Sequence, residues 1–136
     1  MRYALLIVDP ETANPSPEPP DPEISAQVMK EYSAYTQMLK DRGAYLGGEA
    51  LQANPTATTV RVQDGKTIIT DGPFIEAKEA LGGFYLIEAR DLDEALELAA
   101  GCPGAKCGGA IEVRPIWEFP TETEAIAVGE EARQPA

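Results

Sequence analysis

Three segments of the chain have the composition of β-strands, and they differ in how polar residues interrupt them. Residues 1–8 and residues 83–87 are apolar at both odd and even positions, apart from Arg2, so both faces of each strand are expected to be covered. In residues 111–119 apolar positions alternate with charged ones, and Pro115 interrupts the segment, as is typical of an edge strand. The apolar positions expected to share one face of this third strand are Ile111, Val113, Trp117 and Phe119. The pattern predicts two central strands and one strand at a sheet edge.

Two other segments carry apolar residues at helical spacing. The first is expected to begin at Pro22, with Asp21 as its N-cap, and to end at Gly43. Its predicted core-facing residues are Ile24, Val28, Tyr35, Met38 and Leu39. The second begins after the cap Asp91, in the sequence DLDE, and ends at Gly101. Its predicted buried stripe consists of Leu92, Ala95, Leu96 and Ala99.

Turn residues divide the remaining sequence. The dipeptide Asp64-Gly65 separates two alternating segments, residues 58–63 and 67–70, which predicts a β-hairpin. Half of the twelve prolines lie in residues 10–22, and we expect an extended loop there that neither continues a strand nor starts a helix. Residues 1–119 are expected to form one domain, followed by an acidic, mobile tail over residues 120–136.

The order of these elements predicts an α+β fold. Strand, helix, strands, strand, helix and strand follow one another as in the ferredoxin-like βαββαβ pattern, with the hairpin as an addition. Two helices can cover only one face of such a sheet, and a large uncovered apolar face is rare on soluble monomers. We therefore expect a homodimer in which two sheets pack face to face.

Charge and length exclude several classes of function. The 136 residues include 11 basic and 23 acidic ones, for a net charge of −12, so nucleic acid and anionic membranes are not expected as direct partners. No segment has the length of a membrane-spanning helix or of a signal-peptide core, and the chain is therefore predicted to be cytoplasmic.

The absence of histidine restricts the possible chemistry further. It excludes Ser-His-Asp triads, Cys-His dyads, histidine general bases and histidine-ligated zinc. Two cysteines, Cys102 and Cys107, are separated by four residues, and no other cysteine is available to complete a zinc site. We interpret them as free, reduced thiols, and we expect neither a metal site nor a cofactor.

Residues 71–79, with the sequence DGPFIEAKE, concentrate ionisable side chains between two predicted strands. One interpretation is a surface turn in which Asp71 accepts backbone N–H groups and the later charges face solvent. The other is a cleft in which Asp71 is a polar anchor or proton acceptor and Phe74 is an apolar wall. In that cleft Lys78, with Glu79 as a further candidate, contacts the substrate. Lys78 either supplies positive charge to an anionic substrate or opposes the charge of Asp71. The sequence leaves open whether Glu76, Lys78 and Glu79 face the cleft or solvent.

The same segment resembles the DGPFAETKE signature of the DGPF branch of the YCII-related family, departing from it only at Ile75 and Ala77. Further similarity covers ATTVR at residues 57–61, LGGFYL at 81–86, ARDLDEA at 89–95 and EVRPI at 112–116. The resemblance implies a ferredoxin-like domain that forms a dimeric α+β barrel. It also implies a functional link to a sigma factor, since DGPF proteins often occur beside extracytoplasmic-function sigma factors.

Some similar YCII proteins pair the aspartate of this turn with a histidine from the first helix region, and some take part in dechlorination of chlorinated hydroquinones. Asp71 matches that aspartate, but this chain lacks the histidine. Two hypotheses follow. The first is a homodimer with a small-molecule pocket near Asp71, serving ligand binding or an accessory, regulatory role. The alternative is a cofactor-independent lyase or isomerase in which Asp71 transfers a proton on a small cyclic or aromatic substrate, with Glu31, Tyr32 or Tyr35 as substitute base.

Overall fold

The computed structural model describes residues 1–75 and 77–119 and shows an α+β fold with a four-stranded antiparallel sheet and a separate hairpin. In chain order the elements are β1 (Arg2–Asp9), α1 (Pro10–Ala13), α2 (Pro22–Asp41), β2 (Tyr45–Ala50), a 3₁₀ turn (Asn54–Thr56), β3 (Thr58–Gln63), β4 (Lys66–Asp71), β5 (Ala80–Glu88), α3 (Leu92–Ala100), α4 (Pro103–Lys106) and β6 (Ala110–Pro115). The sheet order is β2-β5-β1-β6. The predicted central position of β1 and β5 and the edge position of β6 are therefore confirmed.

One face of the sheet carries the hydrophobic core. Tyr3, Leu5 and Ile7 of β1 lie on this face and pack with buried residues of β5, α2 and α3. The other members of the core are Tyr35, Leu39, Ala44, Tyr85, Ile87, Ala89, Ala95, Leu98, Ala99 and Cys102. Because both long helices contribute to this one cluster, they cover the same face of the sheet.

The opposite face of the sheet is apolar along its two central strands. Leu6 pairs with Phe84, and Ala4 pairs with Leu86, so these side chains form a continuous patch across β1 and β5. They are only partly buried in the single chain, as is Val8. We refer to Ala4, Leu6, Val8, Phe84 and Leu86 as the open face.

Helix α2 has the predicted cap but only half of the predicted buried stripe. The Asp21 carboxylate accepts a hydrogen bond from the N–H of Glu23, and Pro22 occupies the first turn. Gly43, at φ +69°, follows the helix, and the N–H of Ala44 donates to the carbonyl of Leu39. Tyr35 and Leu39 are buried, whereas Ile24 and Val28 are exposed. The N-terminal half of α2 therefore presents apolar side chains that the sheet does not cover.

Helix α3 buries a different stripe from the predicted one. Asp91 caps it as expected, accepting from the N–H of Glu94, and Gly101 ends it. Its buried residues are Ala95, Leu98 and Ala99, while Leu92 and Leu96 are exposed. The prediction was wrong for Leu92 and Leu96, because the helix is rotated so that Leu98 contacts the core.

Three local predictions need correction. The proline-rich segment does contain a helix, α1, because Asp9 accepts a hydrogen bond from the N–H of Thr12 and Pro10 suits the first helical position. The strand β2 was not predicted, because adjacent glycines, Gly47 and Gly48, lower its strand propensity. The last strand ends at Pro115, so the aromatic residues that follow are not strand residues.

Those aromatic residues, Trp117 and Phe119, are stacked with ring centroids 6.5 Å apart and are 80% and 83% exposed. The segment that carries them is attached to β1, because the Arg2 guanidinium donates to both carboxylate oxygens of Glu118, with Nε–O distances of 2.9 and 3.1 Å. This hydrogen bond lowers the pKa of Glu118.

The hairpin of β3 and β4 is confirmed. Asp64 and Gly65 both have positive φ, 53° and 75°, as a two-residue hairpin turn requires. Val60 pairs with Ile69, and both side chains are largely exposed. Within the described residues, no helix has the length and apolar character needed to cross a membrane. The expected acidic tail, residues 120–136, lies outside the described residues.

Candidate functional site

The turn after β4 is fixed to the hairpin by two hydrogen bonds. The N–H of Gly72 donates to the carbonyl of Ala57 at 2.7 Å, and the Thr59 hydroxyl donates to the carbonyl of Gly72 at 2.8 Å. Gly72 has φ +97°, a conformation that residues with a side chain rarely adopt. The glycine is therefore needed here, and it sets the direction in which the chain leaves Asp71.

The predicted site residues around this turn do not form one cluster. Asp71, the last residue of β4, is exposed, as is Glu79. Phe74 is 64% exposed, and the Arg61 guanidinium lies 4.6 Å from the centroid of its ring. Phe74 thus contacts a cation from β3. The position of Glu76 lies outside the described residues.

Lys78 does line a cavity, with a volume of about 540 Å³. The turn segment contributes Pro73, Ala77 and Lys78 to it, and α1 and the 3₁₀ turn supply the opposite wall. That wall consists of Ala13, Asn14, Asn54 and Pro55. Asp71, Phe74 and Glu79 are not among the lining residues. We call this space the Lys78 cavity, and the polar side chains among its described lining residues are one ammonium and two amides.

A second concave region lies between the N-terminal half of α2 and the sheet. It consists of two adjoining cavities, of about 520 and 390 Å³, which share Asp9, Val28 and Tyr32. The sheet contributes Ile7, Gly82 and Tyr85, and α4 contributes Pro103 and Gly104. We call this region the Asp9–Tyr32 cleft.

Thr12 fixes the orientation of the Asp9 side chain, and Gly82 of β5 leaves room for it. Its two carboxylate oxygens accept hydrogen bonds from the N–H of Thr12 at 2.6 Å and from the Thr12 hydroxyl at 2.9 Å. A Cβ atom at Gly82 would lie 2.5 Å from Oδ2 of Asp9 and 2.7 Å from the Thr12 hydroxyl oxygen. Gly82 therefore leaves the space that the Asp9 carboxylate occupies.

The Tyr32 hydroxyl likewise lies in space that a glycine, Gly104, leaves free. A Cβ atom at Gly104 would lie 2.9 Å from the Tyr32 hydroxyl oxygen. Burial raises the pKa of Tyr32, and the neighbouring Cys102 thiol contributes to the increase. Burial also raises the pKa of Cys102. Both groups are consequently neutral at pH 7, and the phenol can donate or accept a hydrogen bond.

The substitute bases considered for Asp71 lie elsewhere. Glu31 and Tyr32 line the Asp9–Tyr32 cleft, and Tyr35 is a core residue whose hydroxyl donates to the carbonyl of Leu98 at 2.7 Å. None of the three lines the Lys78 cavity. Sequence reasoning missed Asp9, although an acidic residue directly after a central strand and before a proline is a cap pattern that could have drawn attention to it.

The free thiols differ in environment. Cys102 is buried in the core, and Cys107 is exposed at the Asp9–Tyr32 cleft. In the part of the chain that the structure describes, no group of three or more acidic, thiol or imidazole side chains is arranged to hold a metal ion.

Comparison with known proteins identifies the family. The model of the YCII-related domain matches residues 1–120. An uncharacterized protein of Rhizobium meliloti (strain 1021) is 37% identical over 117 residues, which cover 85% of this chain and 92% of that relative. The family match spans the whole described sheet, the helices and the hairpin. The chain therefore belongs to the YCII-related family.

Proposed function

We propose that this chain is a homodimeric small-molecule-binding protein of the DGPF branch, with its site beside the turn at residues 71–79. Binding serves an accessory or regulatory role, and the functional partner expected from the resemblance is a sigma factor. The strand order β2-β5-β1-β6, with α2 and α3 on one face, supports a ferredoxin-like arrangement as half of a dimeric barrel.

The Lys78 cavity is the observation that carries this proposal. Its volume of about 540 Å³ is in the range of small-molecule sites, which is roughly 300–1,000 Å³. Among the described residues that line it, Lys78 is the one with a charge, and the amides of Asn14 and Asn54 can donate hydrogen bonds. This combination favours a small anion, such as a carboxylate, in a protein whose net charge is otherwise strongly negative.

The position of Asp71 favours binding over proton transfer. In the single chain its carboxylate is exposed, and a general base works best in a site that excludes water. Asp71 is adjacent to the Gly72-Pro73 turn that borders the cavity, so it remains a candidate anchor at the rim. The alternative, a lyase or isomerase that uses Asp71, requires the partner chain to enclose this carboxylate.

A binding experiment with a matched pair of probes tests the proposal. Benzoate and benzyl alcohol are titrated into ¹⁵N-labelled protein, and the side-chain amide resonances of Asn14 and Asn54 report on the Lys78 cavity. We expect benzoate to shift them and to bind more tightly than the alcohol. Since Lys78 is exposed, Lys78→Gln should weaken benzoate about two- to fivefold.

Two further variants complete this test. Lys66→Gln, at the first residue of β4, removes the same charge away from the cavity and should leave benzoate binding unchanged. Asp71→Asn should keep the melting temperature and alter the benzoate response if Asp71 is at the rim. A large loss of stability with an unaltered response would make Asp71 a turn residue only. Equal binding of both probes to the wild type and to Lys78→Gln would refute the anion site.

A further inference from the structure

We propose that the Asp9–Tyr32 cleft is a second ligand site, which binds a small amine with an apolar or aromatic body. This site is independent of the proposed function, because it shares no lining residue with the Lys78 cavity. Helix α1 contributes its last residue to the Lys78 cavity and its first three residues to the cleft. The two sites therefore lie next to each other and differ in charge.

The apolar wall of the cleft comes mainly from the uncovered half of α2. Val28 and Met29 line it and are 40% and 71% exposed, although Val28 continues the stripe that is buried at Tyr35 and Leu39. Leu51, after β2, faces them from the other side and is also exposed. An apolar body of a few carbon atoms or one ring, placed between these side chains, would remove apolar surface from water.

The charge of the cleft determines which apolar molecule fits. Its ionisable carboxylates are Asp9, Glu11, Glu31 and Glu49, and among the described residues that line it there is no lysine or arginine. An anionic ligand would be repelled, whereas a protonated amine would be attracted to several carboxylates. Charge complementarity therefore selects a cation.

Asp9 and Tyr32 provide the groups that would bind the ammonium. The Asp9 oxygens each accept one hydrogen bond from Thr12, and a carboxylate oxygen can accept more than one. The capping of α1 therefore does not exhaust the acceptor capacity of Asp9. The Tyr32 hydroxyl, which lies close to Gly104, is a further acceptor in the same cleft.

Three probes of similar shape test the charge selection. These are phenethylamine, 2-phenylethanol and 3-phenylpropanoate, which are cationic, neutral and anionic at pH 7. Isothermal titration calorimetry or NMR titration measures their affinities. Because a hydrogen bond to a charged group is stronger than a neutral one, we expect phenethylamine to bind about tenfold more tightly than the alcohol. The carboxylate should bind least.

Two variants with matched controls locate the binding. Asp9→Asn keeps the volume and an N-capping side chain, and it should weaken phenethylamine about five- to tenfold. Val28→Phe fills the cleft from an exposed position and should block the probe. Glu97→Gln and Leu96→Phe make the corresponding changes on the exposed surface of α3 and should leave binding unaltered.

The thiols give a readout that does not depend on these variants. Cys107 lines the cleft and is exposed, whereas Cys102 is buried, so a thiol reagent such as dithionitrobenzoate should modify Cys107 alone in the native protein. Phenethylamine should slow this modification, and 3-phenylpropanoate should not.

Each other outcome overturns the proposal. Tighter binding of the carboxylate, or equal binding of all three probes, would show that the carboxylates do not select the ligand. Failure of all three to bind or to protect Cys107 would show that the cleft is not a ligand site. If no probe binds to the wild type and Val28→Phe dissociates the dimer, the cleft is a contact between two copies of the chain.

Discussion

Gly82 lacks a side chain at the point where the Asp9 carboxylate packs against β5. A Cβ atom at Gly82 would lie 2.5 Å from the Asp9 carboxylate, and the same carboxylate caps α1 through Thr12. The lining of the Asp9–Tyr32 cleft therefore depends on a residue that has no side chain. Gly104 has the same relation to the Tyr32 hydroxyl.

Substitution of Gly82 tests this dependence. In Gly82→Ala the new methyl group displaces Asp9, and α1 loses its cap, so we expect the protein to lose about 1 kcal/mol of its free energy of unfolding. Gly47→Ala is the matched control in β2, where a Cβ atom would meet nothing within 4 Å, and it should be neutral or slightly stabilising. Urea denaturation measures both. A Gly82→Ala protein as stable as the Gly47→Ala protein would contradict the close contact.

At the level of elements, α2 shows how far a hydrophobic pattern can be interpreted. Its stripe predicted one buried face, yet the sheet covers only the C-terminal half. Apolar residues recur with helical spacing in both halves, which differ in how the helix lies against the sheet. A single sequence carries no direct information on that placement.

This difference predicts unequal costs for similar substitutions along α2. Leu39→Ala removes a fully buried side chain and should lower the free energy of unfolding by about 2–5 kcal/mol. Val28→Ala, on the same predicted stripe, removes a side chain that is 40% exposed and should cost less than about 1 kcal/mol. Thermal or chemical denaturation gives both values. Similar losses at the two positions would mean that the N-terminal half of α2 is also covered, for example by a second chain.

For the other elements too, features encoded in the local sequence could be predicted, whereas features that depend on long-range packing could not. The central strands β1 and β5 could be predicted because they are apolar on both faces, and the hairpin because Asp64-Gly65 favours positive φ. Strand β2 could not be predicted, because Gly47 and Gly48 have no side chains and are joined to β5 through their backbone groups alone. The candidate site was predicted at Asp71 from a motif, whereas the cleft at Asp9 arises from α1, α2 and α4 meeting at one end of β1.

At the level of the whole molecule, the arrangement of the helices leaves apolar surface on the other side. The open face, the aromatic pair Trp117 and Phe119, and the Val60–Ile69 pair of the hairpin are not packed into the core. Burial of such a surface contributes about 25 cal/mol per Å², which is sufficient to hold two chains together when the area is large. The sheet-to-sheet homodimer that we propose would remove part of this surface from water.

A charge placed on the open face tests the dimer. Leu6→Lys should convert the protein into a monomer, because a lysine buried between two sheets lacks a partner. Leu96→Lys, at an exposed position of α3, should leave the dimer intact. Light scattering coupled to size exclusion measures the mass, and the melting temperature of each variant confirms that it is folded. A wild-type protein that has the monomer mass at every concentration would refute the homodimer.

Gly72 donates a hydrogen bond to the carbonyl of Ala57 and accepts one from the Thr59 hydroxyl. These two bonds attach the start of residues 71–79 to the β3–β4 hairpin, which pairs with no strand of the main sheet among the described residues. Asp71 therefore moves with the hairpin. A contact that displaced the hairpin as a rigid body would displace Asp71 as well, without any change in the four-stranded sheet. The orientation of Asp71 thus depends on the placement of the β3–β4 hairpin.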